Sequence, residues 1–247
     1  MGDHDDAARY ANEAGGLLVE LRSRGDADDW SRSSLGDAGD VLANRRLLEL
    51  LHAEHPNDRV LSEESADDPL RLEAQRVWIV DPLDGTREYS ERDRTDWAVH
   101  VALWERGRGL IAGAVALPAQ GRVLSTVTPP VVPAPGGRPP RVVVSRTRPP
   151  AAAHRVAAAL GAELVGMGSA GAKAMAVVDG VVDAYVHAGG QYEWDSAAPV
   201  AVAAAAGLHA SRIDGSPLEY NCRDPWLPDL VVCRAELAGT ILAAAAA

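Results

Sequence analysis

The chain contains no phenylalanine, and aromatic residues make up only 4% of it. Val, Leu, Ala and six Trp must therefore fill the interior. At 247 residues there is enough chain to bury a substantial core, as one large domain or two packed halves. Cysteine is nearly absent: Cys222 and Cys233 lie outside any Cys-x-x-Cys pattern, which excludes a disulfide framework and suits core thiols in a reducing cytosol. Positive charge is also short. A formal net charge of -11 and a pI of about 5.1 argue against nonspecific nucleic-acid binding, which needs clustered Lys and Arg. An acidic protein that handles a phosphate has to recruit cations locally. No apolar run is long enough to span a membrane, and the acidic start, Met-Gly-Asp-His-Asp-Asp, does not read as a signal peptide. These absences predict a cytoplasmic protein.

The most informative stretch runs from Trp78 through Ile79 and Val80 to Asp81-Pro82-Leu83-Asp84-Gly85-Thr86. An apolar, β-branched run predicts a buried strand, and this one stops at two carboxylates three positions apart. Pro82 interrupts the ladder and pre-sets its φ, so that Asp81 and Asp84 ride on one tight turn. Gly85 and Thr86 then open a short helical turn whose N–H groups would face the same point. Carboxylates for cations and amides for an anion meet there, as in a metal-assisted phosphate site built around a hard, oxygen-seeking ion such as Mg²⁺. The plainer reading is an acidic turn that caps a helix; the strand before it and the Gly-Thr after it favour the functional one.

Before this stretch, Ala7, Ala11, Ala14, Leu17, Leu18 and Leu21 recur at helical spacing after Asp5 and Asp6. Residues 22–36, rich in Ser, Asp and Gly, predict a mobile loop. A second helix then starts at Gly36-Asp37, carries Val41, Leu42, Leu48 and Leu51, and ends before Pro56. Asp40 falls in its first turn, where capping and catalysis are about equally good explanations. His52 and His55 read as a solvated end of this helix. Val60-Leu61 is a short strand leading into Glu63-Glu64, of which Glu64 could join Asp81 and Asp84 if the two strands are neighbours.

After it, residues 97–104, 109–117 and 122–127 read as an antiparallel meander. The Pro-rich residues 129–140 cannot hold regular structure and divide the chain into an α+β half, 1–128, and an α/β half, 141–247. In the second half, strands at 141–144, 163–165 and 181–186 alternate with helices from Ala151 and Ala172. Gly166-Met-Gly-Ser-Ala-Gly171 matches Gly-x-Gly-x-x-Gly, but it sits late in the chain and is followed by Lys173. It reads as a glycine turn that lets a ligand approach the backbone, with Lys173 as a phosphate contact, or as a plain tight turn. Asp195 stands at the mouth of an Ala-rich helix that ends at Gly207, where it could be no more than a cap.

Taken together, Asp40, Glu63-Glu64, Asp81 to Thr86 and Trp194-Asp195-Ser-Ala-Ala198 resemble the signature of the lithium-sensitive, Mg²⁺-dependent inositol monophosphatase superfamily. Ser145-Arg146, Gly168-Ser169 with Lys173, and His187-Ala-Gly-Gly look most like its bacterial CysQ type, the 3′(2′),5′-bisphosphate nucleotidases of sulfur metabolism. The resemblance implies a layered α-β-α-β-α sandwich with the site between its halves, and two or three Mg²⁺ ions. It implies that Glu64, Asp81 and the Leu83 carbonyl hold one metal, and that Asp81, Asp84 and Asp195 hold a second. Thr86 with Glu64 or Asp40 would orient the attacking water, and Gly85 and Thr86 would take phosphate oxygens. Asp84, Ser145, Arg146, Gly168, Ser169, Lys173 and Asp195 would complete the substrate site. The residues before Asp40, Ser33 to Gly39, depart from the Lys-rich or Thr-containing stretch common in the family.

The implied substrate is a small phosphorylated nucleotide, adenosine 3′,5′-bisphosphate or its 5′-phosphosulfate analogue, with inositol monophosphate and fructose 1,6-bisphosphate as alternatives and a homodimer as the assembly open to the chain. A haloacid-dehalogenase-type phosphatase would space its acids Asp-x-Asp and use the first as nucleophile. A non-catalytic phosphometabolite sensor on the same fold is set against by the full complement of acids and Thr86.

Overall fold

Two five-stranded sheets alternate with three layers of helices, and the polypeptide enters the second sheet only after completing the first. The computed structural model describes residues 2–28 and 30–246. The first sheet contains β1 (Arg59–Ser62), β2 (Arg76–Asp84), β3 (Ala98–Glu105), β4 (Gly109–Leu117) and β5 (Arg122–Ser125), in that spatial order. Strand β1 runs parallel to β2, and β2 through β5 form the expected antiparallel meander. The second sheet has the order β7-β6-β8-β10-β9, from β6 (Arg141–Ser145), β7 (Glu163–Met167), β8 (Ala184–Tyr192), β9 (His209–Ser211) and β10 (Trp226–Cys233). Residues 126–140 join the sheets without a helix or strand.

Helices α1 (Asp3–Ala27) and α2 (Arg32–Glu54) cover the outer face of the first sheet. Their Leu18, Leu47 and Leu51 pack with the even-numbered β2 residues Trp78 and Val80. The short α3 (Thr86–Tyr89) follows β2 directly. The odd-numbered Val77 and Ile79 face the middle layer, α5 (Ala170–Val178) and α6 (Glu193–Ala205), whose other side meets the second sheet through Tyr185, Leu230 and Val232. Helices α4 (Ala151–Leu160) and α7 (Ala238–Ala246) close the far face. This strict alternation in β2 is the two-residue period of a strand buried on both sides, and it yields the α-β-α-β-α sandwich. The middle cluster draws residues from both halves, so each half completes the core of the other. Among the described residues no helix is long and apolar enough to cross a membrane.

Several local expectations are corrected. Residues 22–36 are not one loop: α1 continues to Ala27, and α2 begins at Arg32 behind a Ser31 cap that accepts from Ser34 N at 3.2 Å. Arg22 explains the longer helix, because its buried guanidinium donates to the carbonyls of Glu91, Arg92 and Arg94. The earlier start of α2 carries Asp40 out of the first turn and into the helix body, which removes the capping explanation. Helix α2 also turns Val41 outward, while Gly36 and Gly39 let its backbone close on Thr86 and Tyr89. His52 is exposed as expected, but His55 packs on Trp78 with ring centroids 4.9 Å apart, between Asp6 and Asp58. Pro82 does not end β2 in a tight turn. The strand passes through it with a register shift between Asp81 and Asp84, a bulge that spares Pro82 a ladder partner. Strands β9 and β10 and helix α7 were not anticipated.

Candidate metal centre

Three of the expected acids converge where the C-terminal end of β2 meets the N-terminus of α6. Asp81, Asp84 and Asp195 each offer a carboxylate oxygen, and these oxygens lie within 4.8 Å of one another. Asp81 is fully buried. Its Oδ1 accepts from Leu83 N at 3.0 Å, whereas Oδ2 has no hydrogen-bond partner among the described residues. Burial, then the charges of Glu63, Asp84 and Asp195, push its carboxyl well above the usual range. A buried carboxylate oxygen with no hydrogen-bond partner, 4.0 Å from His100 Nδ1 and among other acids, is suited to a cation, and an all-oxygen donor set suits a hard divalent ion. The cluster can therefore hold a divalent metal.

Asp195 lies in the first turn of α6 rather than at its cap, and its Oδ2 accepts from Tyr192 N at 2.7 Å. Burial and then the Asp84 charge push it up to about 6. Asp84 behaves in the opposite way. Burial would raise it, but the charge and hydrogen bonding of His100, the charge of Lys173 and the Ser169 hydroxyl hold it well below the usual range. Its Oδ2 accepts from Ser169 Oγ at 2.5 Å and Gly171 N at 2.6 Å, its Oδ1 from Ala170 N at 3.0 Å. The first turn of α5 thus receives a carboxylate of the other half of the chain, as a helix N-terminus favours. With a single amide on it, Oδ1 retains a lone pair for a cation.

His100, on β3, had no place in the sequence-based site. It is fully buried, with Nδ1 3.0 Å from Trp194 O and Nε2 3.2 Å from Asp84 Oδ2. Burial would lower its pKa, yet the Asp84 carboxylate outweighs that and raises it. A lone His inside an apolar strand gives no motif; the polar break in Trp97-Ala-Val-His-Val-Ala-Leu-Trp was the only available signal.

The two adjacent acids are placed differently. Register pairs Leu61 with Ile79 and Ser62 with Val80, and Glu63, the first residue past β1, donates its amide to the Val80 carbonyl at 3.4 Å, next to Asp81. Although Glu63 is solvent-accessible, desolvation in the crowded site, then the charges of Asp195 and Asp84, push it up to about 7. Glu64 instead lines an outer cavity of about 440 Å³ with Asn44, Leu48 and His52. Its charge acts on Asp40, which burial first and Glu64 second push up to about 7. Strand alternation continued one residue past β1 would have pointed to this placement, because Glu63 shares parity with Leu61, Ile79 and Asp81.

Thr86 Oγ1 lies 3.4 Å from Asp40 Oδ1 and 3.2 Å from the Leu83 carbonyl, so these three residues meet beside the acids. Gly85, with φ +89°, faces Ser169 across the junction of the halves. The expected phosphate contacts of the second half are mostly committed elsewhere. Lys173 is buried, and its Nζ donates to the carbonyls of Gly168 at 3.1 Å and Ser169 at 2.6 Å, tying off the glycine turn. Arg146 does stand just past the C-terminal end of β6, but its guanidinium is paired with Glu88 at 2.6 Å and Glu91 at 2.9 Å. Gly168 donates its amide to Asp96 at 2.6 Å, and a Cβ there would lie 2.2 Å from the Glu88 side chain. The close approach that these glycines permit is to the chain's own first half. Ser145 accepts from Arg148 N at 3.3 Å, so the strand end turns and carries Arg148 into an exposed position.

Comparison with known proteins gives a consistent picture. The sequence profile described as the inositol monophosphatase family matches residues 11–129 and 141–246. A 3′-phosphoadenosine 5′-phosphate phosphatase of Mycobacterium leprae is 57% identical over 247 residues, covering 96% of this chain and 90% of that protein. The 3′(2′),5′-bisphosphate nucleotidase CysQ of Escherichia coli K12 is 30% identical, covering 90% of this chain and 96% of its own. Among solved structures, CysQ from Bacteroides thetaiotaomicron superposes with a TM-score of 0.79 at 25% identity, covering 94% of this chain and 97% of that one.

Proposed function

Because the chain belongs to the inositol monophosphatase family, we propose that it is a Mg²⁺-dependent phosphomonoesterase that removes the 3′-phosphate of adenosine 3′,5′-bisphosphate. The observation that carries the metal chemistry is the bare, buried Oδ2 of Asp81 among converging acids. The observation that favours this substrate is the similarity along nearly the whole chain to phosphatases named for it.

In this reading Asp81, Asp84, Asp195 and Glu63 hold two or three Mg²⁺ ions, with the Leu83 carbonyl adding an oxygen. Glu63 takes the place expected of Glu64. Bound Mg²⁺ supplies the site with an acidified water and with positive charge against the phosphoryl oxygens. The chain's own residues do the rest. Thr86, backed by Asp40, orients the attacking water, and the Gly85 and Thr86 amides hold phosphate oxygens. An Asp40 that titrates near 7 can accept a proton close to neutrality. Ser169 and the first amides of α5 keep Asp84 ionised and aimed. His100 holds the carbonyl of Trp194, next to Asp195, and so fixes the entry of α6 against β3.

A bisphosphate carries a second phosphate that needs its own cation in an acidic protein. Arg148 is better placed for this than the already paired Arg146 or the buried Lys173, because it is exposed beyond the end of β6. Both halves, 1–128 and 141–247, would then contribute to the metal site and to the substrate site.

Product analysis tests the proposal. Adenosine 3′,5′-bisphosphate incubated with enzyme and Mg²⁺ should yield inorganic phosphate and 5′-AMP, and excess chelator should stop the reaction. Release of 3′-AMP, or full turnover in chelator, contradicts it. A phosphorylated aspartate trapped during turnover would overturn the water-attack mechanism.

A further inference from the structure

Arg71 lies in a short 3-10 turn, Pro69–Glu73, between β1 and β2, and its side chain is fully buried. A buried guanidinium is tolerated only when its donors are satisfied. Nε and Nη2 fork onto the Asp67 carboxylate at 2.6 and 3.0 Å. Nη1 donates to Asn221 Oδ1 at 2.7 Å, and Nη2 also donates to the Cys222 carbonyl at 2.8 Å. Asn221 answers by donating Nδ2 to the Arg71 carbonyl at 3.2 Å. The bonds join the first half of the chain to a strap, residues 212–225, in the second.

The strap in turn grips α6. Asn221 has φ +61°, a left-handed conformation that Asn tolerates better than most residues. That conformation lets two successive amides point the same way: Asn221 N donates to Glu193 Oε2 and Cys222 N to Glu193 Oε1, both at 2.7 Å. Glu193 is fully buried and is the first residue of α6, two positions before Asp195. Its own amide donates to Pro225 O at 2.8 Å, so the strap holds the start of α6 by side chain and backbone together. An unbroken set of hydrogen bonds thus runs from Arg71 through Asn221 and Cys222 to Glu193, and ends at the helical turn that presents Asp195.

We propose that Arg71 is a positioning residue for the metal centre: through the Asn221–Cys222 strap and Glu193 it fixes Asp195, the one acid of the cluster contributed by the second half, against Asp81 and Asp84 of the first. The inference rests on the reading that these acids hold a divalent cation. Charge-assisted bonds with several partners set a geometry more tightly than a single contact, and the roughly 10–100-fold by which a group bonded directly to a metal ligand tunes affinity is an upper bound for a residue acting further out.

The experiment is Mn²⁺ binding by isothermal titration calorimetry to the wild-type chain, Arg71→Ala, Asn221→Gly and Asp195→Asn, alongside thermal melts in chelator. Asn221→Gly keeps the left-handed backbone and removes the side-chain bonds to Arg71, so it carries the test if Arg71→Ala does not fold. The expected result is Mn²⁺ affinity lowered by about 3–10-fold in the Arg71 or Asn221 variant, below the range for a direct partner of a metal ligand, with the KM for nucleotide changed less than the metal requirement. A folded variant with a lower melting temperature but wild-type Mn²⁺ affinity would show a purely structural role and overturn the inference. Asp195→Asn separates this failure from that of its premise: unchanged affinity there removes Asp195 from the metal centre, and the role of Arg71 with it.

Discussion

The ring of His100 fills the space that any side chain on Gly171 would need: a Cβ placed there would lie 2.1 Å from Nε2. The third glycine of Gly166-x-Gly-x-x-Gly171 is therefore explained by an imidazole from the opposite half, and the same close approach lets Gly171 N reach Asp84. Gly171→Ala should destabilise the protein by about 1–3 kcal/mol, the usual range for overpacking a filled interior, and should reduce turnover by moving Asp84. The His100→Ala, Gly171→Ala double variant should be less destabilised than the sum of the singles, because each change makes room for the other. Denaturant melts of the four proteins measure this coupling; additive losses would show that the contact is not what fixes Gly171.

The adjacent acids give a second prediction. Glu63→Gln should raise the Mg²⁺ concentration needed for half-maximal turnover by more than the roughly 10–100-fold typical of an outer-shell partner, while Glu64→Gln should leave it nearly unchanged. Activity followed against Mg²⁺ concentration decides between them. A Glu64 variant with the larger shift would return the metal to the residue first expected from sequence.

The pH dependence of the metal-free protein should be unusual for an acidic enzyme. Glu63 and Asp40 titrate at about 7 and Asp195 at about 6, against roughly 4 in the unfolded chain. Between those values the folded state binds more protons than the unfolded state, so stability falls as pH rises from about 4 to 7. His100, raised by Asp84, has the same sign above its unfolded value, and His187, lowered by burial, has the opposite sign below it. In chelator the melting temperature should therefore fall from pH 5.5 to pH 8. Mg²⁺, which binds the deprotonated acids, should raise it more at pH 8 than at pH 5.5. A Mg²⁺-induced rise equal at both pH values would contradict the assignment of these acids.

Much of this architecture is legible in the sequence because it rests on periodicity. Trp78-Ile79-Val80 alternates between two apolar layers, the α/β order after residue 140 follows from short strands and Ala-rich helices, and the acids of Asp81 to Thr86 are adjacent in the chain. What escapes is long-range pairing. The length of α1 is set by carbonyls some 70 residues away that receive Arg22. Nothing local shows that Lys173 and Arg146 have partners in Gly168, Ser169, Glu88 and Glu91. His100 and Arg71 carry no local pattern at all. The placement of Glu63 lies between the two cases, since continued strand parity points to it once β1 is known to lie parallel to β2.

For recognition of the second phosphate, Arg148→Ala should raise the KM for adenosine 3′,5′-bisphosphate by roughly 10-fold, the effect of losing one charge-assisted contact of about 1.5 kcal/mol, with little change for a monophosphate. Arg146→Ala should instead disturb both substrates through Glu88, the neighbour of Thr86 on α3. Steady-state kinetics on the two substrates separates these outcomes. Equal losses for Arg148→Ala on both would remove it from the second-phosphate role.

The central claim is that the acid cluster serves hydrolysis of a nucleotide 3′-phosphate. Its most direct test is kcat/KM in Mg²⁺ for adenosine 3′,5′-bisphosphate, inositol 1-phosphate and fructose 1,6-bisphosphate, measured on one preparation. The account predicts that the nucleotide is preferred by at least about 10-fold, a difference of roughly 1.4 kcal/mol in transition-state stabilisation. A preference for either sugar phosphate would leave the metal centre standing and contradict the substrate.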